Sequence, residues 1–288
     1  MHPPRVDVLF IGIGAIGLPM ASRIAQSGHR VIAVDRSELR RRDADRAGLG
    51  TAAVPVAADV AVVMVASGEQ LVSVVEDEGG LLQVLPRGSV CVVMSTVGPD
   101  VVRSIAEKFS ARGVDVVDAP VTGGVERAES GDLTIFGAGK PDAVDGVRNV
   151  LEAMGAIHLC GHEPGRGQSL KLVNQLLCSI HLVAAAEALA FAEALGLDPE
   201  DVHRAVSSGA GASFMLSDRG PRMLAAGGSE PTITALDIFA KDSALVHDAA
   251  ARSGFDVPLL SVAAQAFSRA AAQGLGRADD SRIREIYR

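Results

Sequence analysis

The chain has 288 residues, a formal net charge of −8, 48% hydrophobic and 22% charged residues. Its length and apolar content supply one large domain or two ordinary ones with a packed core, and they exclude a disordered chain. The acidic balance, with no tryptophan and one tyrosine, argues against a nucleic-acid surface, which needs basic patches and stacking rings, while a small anionic substrate stays open because local fields can oppose the global sign.

The opening "MHPPRVDVLFIG" lacks the long apolar segment of a signal peptide, so no leader is expected. The first apolar run, Val6–Ile11, reads as a strand and runs into Gly12-x-Gly14-Ala15-Ile16-Gly17. In a G-x-G-x-x-G turn the first glycine permits the tight bend. The second lets backbone approach a diphosphate, and the third lets the helix pack on its strand. A second strand, Val31–Val34, ends in Asp35, about twenty residues on, where a carboxylate suits ribose hydroxyls. The pattern predicts a dinucleotide site on Gly12, Gly14, Ala15, Ile16, Gly17 and Asp35. Asp35 favours NAD because it repels a 2′-phosphate. Arg36, directly after it, leaves NADP possible.

Leu39–Arg46, "LRRRDADR", reads as a solvated helix face. Further strands are expected at Val60–Val65, Val90–Met94, Val114–Val117, Leu133–Phe136 and Ile157–Leu159. Continuous apolar strands alternating with helices indicate a parallel sheet covered on both faces. The last two adjoin Gly-rich turns and leave their direction open. The apolar window Val60–Ala66 is too short to cross a bilayer. After the run ending at Asp118-Ala119-Pro120, Thr122, Gly123 and Gly124 offer a hydroxyl and backbone N–H groups at the carboxyl edge of the sheet. Such a set suits a carboxylate, though a plain glycine turn has the same spelling.

From about Gly165 the pattern turns helical. Gly167–Gly196 reads as one Ala/Leu-rich helix, apolar nearly all round and so expected to be buried on most sides. Lys171 near its start must snorkel, pair or do chemistry, and a lysine withdrawn from water titrates closer to neutrality. Gln175 follows four residues on, on the same face, with Asn174 beside it. Helices then continue, punctuated at "GLDPED", "SSGAGAS", "AAGGSEP" and "RSGFDVP", without strands. Cys91, Cys160 and Cys178 have no metal-site spacing and read as reduced thiols of a cytoplasmic protein. His158, His162, His181, His203 and His247 form no ligand motif, so no metal is expected. The fold class is therefore α/β: an N-terminal Rossmann-type dinucleotide-binding domain, residues 1–164, plus a C-terminal all-helical domain, residues 165–288, joined by a long helix over 165–196.

Four segments, "GIGAIGLPMA", "DAPVTGG", "GRGQSLKLVNQ" and "DIFAKDSAL", occur in this order across the chain. In them the chain resembles the β-hydroxyacid dehydrogenase family, which includes 3-hydroxyisobutyrate dehydrogenase, with later segments most similar to its L-threonate dehydrogenase branch. The resemblance implies hydride transfer between a nicotinamide cofactor and a small hydroxy acid. It implies Lys171 as general acid/base and Thr122, Gly123 and Gly124 on the substrate carboxylate, with Asn174 and Gln175 also at the substrate. It further implies Thr96 by the nicotinamide, Lys241 on the cofactor with Asp242 fixing it, and a homodimer or homotetramer built through the helical domain. The chain departs from the family at Ile16, where Met is usual, at Thr122 for Ser, and at Gln175 for Asn. Phe214 and Met215 are candidates to line the substrate pocket, and Arg219 or Arg222 to reach it. Two other readings stay open. One is an imine reductase on the same scaffold, whose members generally lack the lysine. The other is a dinucleotide-binding module without turnover.

Overall fold

The apolar runs of the first half pair side by side. In the computed structural model, residues 5–225 and 232–287 are described. Met1–Pro4, where no leader is expected, and most of the "AAGGSEP" punctuation lie outside them. The chain divides into two compact units, Met1–Lys171 and Leu172–Arg288.

The strands of the first unit are β1 (Asp7–Ile11), β2 (Arg30–Val34), β3 (Gly50–Ala52), β4 (Val60–Val63), β5 (Val90–Val93), β6 (Asp115–Asp118), β7 (Val121–Thr122), β8 (Leu133–Ala138) and β9 (Gly155–Gly161). The helices between them are α1 (Gly17–Gln26), α2 (Glu38–Arg46), α3 (Gly68–Glu76), α4 (Leu81–Val84), α5 (Pro99–Ser110), α6 (Gly124–Ser130) and α7 (Pro141–Glu152). One sheet runs β3-β2-β1-β4-β5-β6-β8-β7, with β9 on β8. It is parallel from β3 to β6. β8 then reverses against β6 and β7, while β9 runs parallel to β8. The mixed direction left open by the sequence lies there. The two strands that the sequence does not announce, β3 and β7, have three and two residues, too short for any periodicity to show.

Period-two alternation splits the apolar strands between two cores. Val8 and Phe10 of β1 join Met20, Ile24, Val147 and Leu151 on one face. Leu9 and Ile11 join Leu71, Val75, Ile105 and Phe109 on the other. Both faces are covered, as a parallel sheet requires. Cys91 lies in the second core, where burial pushes its thiol up to about 12. The charge run forms α2, of which only Ala44 is buried, started by the Ser37 side chain.

The second unit follows from α8 (Arg166–Ala194), which crosses the boundary, through α9 (Pro199–Val206), α10 (Phe214–Leu224), α11 (Leu236–Ser253) and α12 (Pro258–Ala272) to a 3₁₀ helix, Asp280–Tyr287. Leu182, Ala186, Leu189, Met215, Phe239 and Phe267 belong to its core. The Phe239 and Phe267 rings are tilted at 5.7 Å. Arg219 and Arg222 of α10 bond the start of the 3₁₀ helix: Arg219 Nε to Asp280 at 3.0 Å, and Arg222 to Asp279 at 2.7 Å and Asp280 at 3.1 Å.

The surroundings of α8 differ from the expected burial on most sides. The helix is long and apolar enough, by length and composition alone, to cross a membrane. Yet Leu182, Val183, Ala185, Ala186 and Leu189 pack into the helical core, as in a core helix. Nor is it buried on most sides: Val173, Leu177, Phe191 and Leu195 are each about half exposed or more. The helix carries more apolar surface than its neighbours in the chain cover.

Candidate active site

The parallel strands β1, β2, β5 and β6 place their carboxyl ends on one edge of the sheet, so Gly12, Asp35, Thr96 and Asp118 share that edge. Open α/β sheets bind ligands there.

The glycine turn has the geometry that a dinucleotide needs. Gly12 has φ +95°, and a Cβ on it would overlap the Met64 carbonyl. A Cβ on Gly17 would overlap the Gly12 carbonyl, so the helix sits directly on the turn. A Cβ on Gly14 meets nothing within 4 Å. The middle glycine therefore borders open space, the space that a diphosphate would take, while the outer two are fixed by the fold. Ala15 is exposed and Ile16 half-buried beside it, and no side chain caps the start of α1. The residues fit the group. Asp35 Oδ2 accepts from the Ile13 N–H at 2.9 Å and Oδ1 from the Ser37 N–H at 2.8 Å. A carboxylate has about four acceptor positions, so capacity remains for ribose hydroxyls. Arg36 is exposed and donates to Ser73 at 2.8 Å, with Asp77 at 3.5 Å. Arg41, which the sequence reading passed over as part of a charge run, donates to the Asp35 and Arg36 carbonyls at 2.6 and 3.0 Å.

Thr122 is in β7, paired with Thr134 of β8. Gly123 and Gly124 follow with φ of +137° and +77°. A Cβ on Gly123 would press on Arg127 and Leu133, whereas Gly124 again faces open space.

At the carboxyl ends of β5 and β6 lies a buried polar network that the sequence reading missed. Asp118 and Gln168 are both fully buried. Asp118 Oδ2 accepts from the Gly165 and Gln168 N–H groups at 2.8 and 3.0 Å. The Gln168 side chain accepts from the Val97 and Gly98 N–H groups at 2.9 and 3.1 Å, and donates to the Ser95 carbonyl at 2.9 Å and Asp118 Oδ1 at 3.0 Å. Burial pushes the Asp118 carboxyl up to about 6, against the opposing effect of these bonds. The signal available in the sequence was Asp118 itself, a carboxylate closing an apolar strand. One turn past Gln168, Lys171 is buried, at 6% exposure.

In the second unit, Gln175 Nε2 donates to Asp242 Oδ2 at 2.5 Å and its Oε1 accepts from Asn174 at 2.9 Å. Lys241 Nζ lies 2.9 Å from Asp242 Oδ1. Gln175, Asn174 and Lys241 thus form one cluster around the buried Asp242 carboxylate. Phe214 is exposed, but Met215 is a core residue, and Arg219 and Arg222 are engaged by Asp279 and Asp280. Those arginines hold the 3₁₀ helix.

Residues 7–162 match the model of the NAD-binding domain of 6-phosphogluconate dehydrogenase. Residues 165–287 match that described as NAD-binding of NADP-dependent 3-hydroxyisobutyrate dehydrogenase. L-threonate dehydrogenase of Cupriavidus necator is 33% identical over 96% of this chain and 94% of its own. A 3-hydroxyisobutyrate dehydrogenase structure from Salmonella typhimurium superposes with TM-score 0.89 at 30% identity, over 97% of this chain and 99% of that one. An imine reductase from a Pseudomonas species, at 20% identity and TM-score 0.66 over 99% and 100%, shares the fold alone. The chain belongs to the 3-hydroxyisobutyrate dehydrogenase-like family of nicotinamide-dependent oxidoreductases acting on the hydroxyl group of small hydroxy acids.

Proposed function

We propose that the chain oxidises a small polyhydroxy acid of the L-threonate type, with Lys171 as general acid/base. The observation that carries this reading is a lysine amine buried at the start of α8, the helix whose first turn is bonded to the carboxyl ends of β5 and β6. The similarity to L-threonate dehydrogenases supports the substrate class. When bound, the nicotinamide takes or returns the hydride. Thr122 and the Gly123–Gly124 amides hold the substrate carboxylate. Gly12, Gly14, Ala15, Ile16 and Gly17 hold the diphosphate and Asp35 the adenosine ribose. Thr96 and Lys241 attend the nicotinamide, and Asn174 and Gln175 the substrate hydroxyls. Lys171, as the neutral amine, takes the hydroxyl proton while the C–H hydride leaves, and as ammonium it returns that proton in reduction.

NAD is the preferred cofactor in this reading, because Asp35 repels a 2′-phosphate and the Arg36 guanidinium is already bonded to Ser73. The protein works in the cytoplasm as a homodimer or homotetramer. The apolar residues left exposed on α8 support an oligomer.

A panel of L-threonate, D-glycerate and 3-hydroxyisobutyrate with NAD⁺ and NADP⁺, followed by reduced-nicotinamide absorbance, tests the reading. L-Threonate with NAD⁺ is expected to turn over fastest. Lys171→Met should lower kcat by at least about 10²-fold while NADH affinity stays within about twofold. Full turnover in that variant removes Lys171 from the reaction. Cofactor binding without turnover on the whole panel favours a non-catalytic module.

A further inference from the structure

We infer that Gln168 is a positioning residue: its carboxamide fixes the start of α8, and with it the Lys171 amine, against the loop that carries Thr96. The inference rests on the Lys171 reading above.

Two partners of the Gln168 amide, the Val97 and Gly98 N–H groups, can only donate. The other two, the Ser95 carbonyl and Asp118 Oδ1, face the amide nitrogen as acceptors. A flipped amide would oppose like to like at all four contacts, so the side chain has one orientation. Its placement has equally little freedom. A Cβ on Gly167 would overlap the Phe136 carbonyl, so the helix start already abuts β8. Asp118 fastens the same turn by two backbone N–H groups. Lys171 is three residues further along a continuous helix, on the same face and about 4.5 Å along the axis. Whatever sets Gln168 therefore sets the root of the lysine side chain. The loop from Ser95 to Gly98, held by the same amide, carries Thr96.

Stability alone is a poor reason for this network. Burial works against ionised Asp118, and an apolar pair of similar volume would commonly be no less stable. What the polar version supplies is a single register between two chain segments some 70 residues apart. Misplacement of a reacting group by about 1 Å can cost about 10²-fold in rate.

The test uses Gln168→Glu, Asp118→Asn and the two combined. A carboxylate at position 168 faces the Ser95 carbonyl and the Asp118 carboxylate, and is repelled. An amide at position 118 opposes donor to donor at one of its contacts. In the double variant the new amide donates to the new carboxylate, and only the Ser95 carbonyl loses its donor. Each single variant is expected to lower kcat for L-threonate, or for the fastest acid of the panel, by about 10- to 100-fold. KM and the NADH dissociation constant should stay within about threefold. The Val97 and Gly98 amides should exchange with deuterium at least about tenfold faster. The double variant should recover at least about tenfold in kcat over the worse single one.

Wild-type kcat in the single variants, or a double variant no better than the worse single, overturns the inference. If one single variant does not fold, the other and the double decide by the same criteria, and an unfolded double variant counts against rescue. Lys171→Met separates the two claims. Full activity there removes the reading on which the inference rests. Loss of activity there, with wild-type single variants, removes the inference alone.

Discussion

Two glycines of one turn have opposite reasons for being glycine. Gly12 is imposed by the fold, through its positive φ and the Met64 carbonyl against its missing side chain. Gly14 is free of any such contact. Gly12→Ala should therefore cost at least about 2 kcal/mol in urea denaturation. Gly14→Ala should leave stability within about 0.5 kcal/mol and still weaken NADH binding at least about tenfold, because the methyl group occupies the diphosphate's space. A large loss of stability in Gly14→Ala would show that the open space has a structural use. The turn was legible because its three glycines stand within six residues. Gln168 was not, because a glutamine in the first turn of a helix has no spelling that separates it from a solvated one. Its partners lie 50 to 73 residues earlier in the chain.

Among the elements, α8 and the 3₁₀ helix show where sequence pattern stops. Ala/Leu-rich composition announced α8 to within two residues at each end but not what covers it, since composition records hydrophobicity and not the number of available neighbours. Light scattering at micromolar concentration should find a dimer or tetramer, and a monomer would mean that the stripe has another use. Arg219 or Arg222 of α10 stood as candidates to reach the substrate, and their partners Asp280 and Asp279, some 60 residues away, left no trace in the local sequence. Arg222→Gln should thus lower the melting temperature by several degrees and leave KM for the acid unchanged. The junction of β6 with α8 carries a pH signature. The Asp118 carboxyl is raised to about 6 from 3.8 in the unfolded chain, so its contribution to stability is present in full below about pH 4 and is lost as pH rises through about 6. Asp118→Asn does not titrate. The stability of the wild type relative to Asp118→Asn should therefore fall as pH rises from 4.5 to 7, by about 2 kcal/mol. Paired urea titrations at the two pH values measure it, and a constant difference would show that the carboxyl ionises at its usual pH.

For the whole molecule, fold class and family were legible from the alternation of strands and helices and from four short motifs in order. The reversal of the sheet at β8 left only an ambiguous trace, because antiparallel and parallel buried strands have the same composition. The boundary between compact units falls at Lys171, inside a helix whose sequence shows no break there. The bonds of Asp118 and Gln168 also bear on how the protein is made. They close chain loops of 47 to 73 residues, and every partner of the Gln168 side chain is translated long before Gln168 itself. A nascent chain can pair β1 through β6 on the ribosome while its Lys171 codon is still unread. On the role proposed for Lys171, competence for redox chemistry comes late in biosynthesis, when the first turn of α8 reaches an already assembled sheet edge, and chains that end before that turn have the nucleotide turn without the amine.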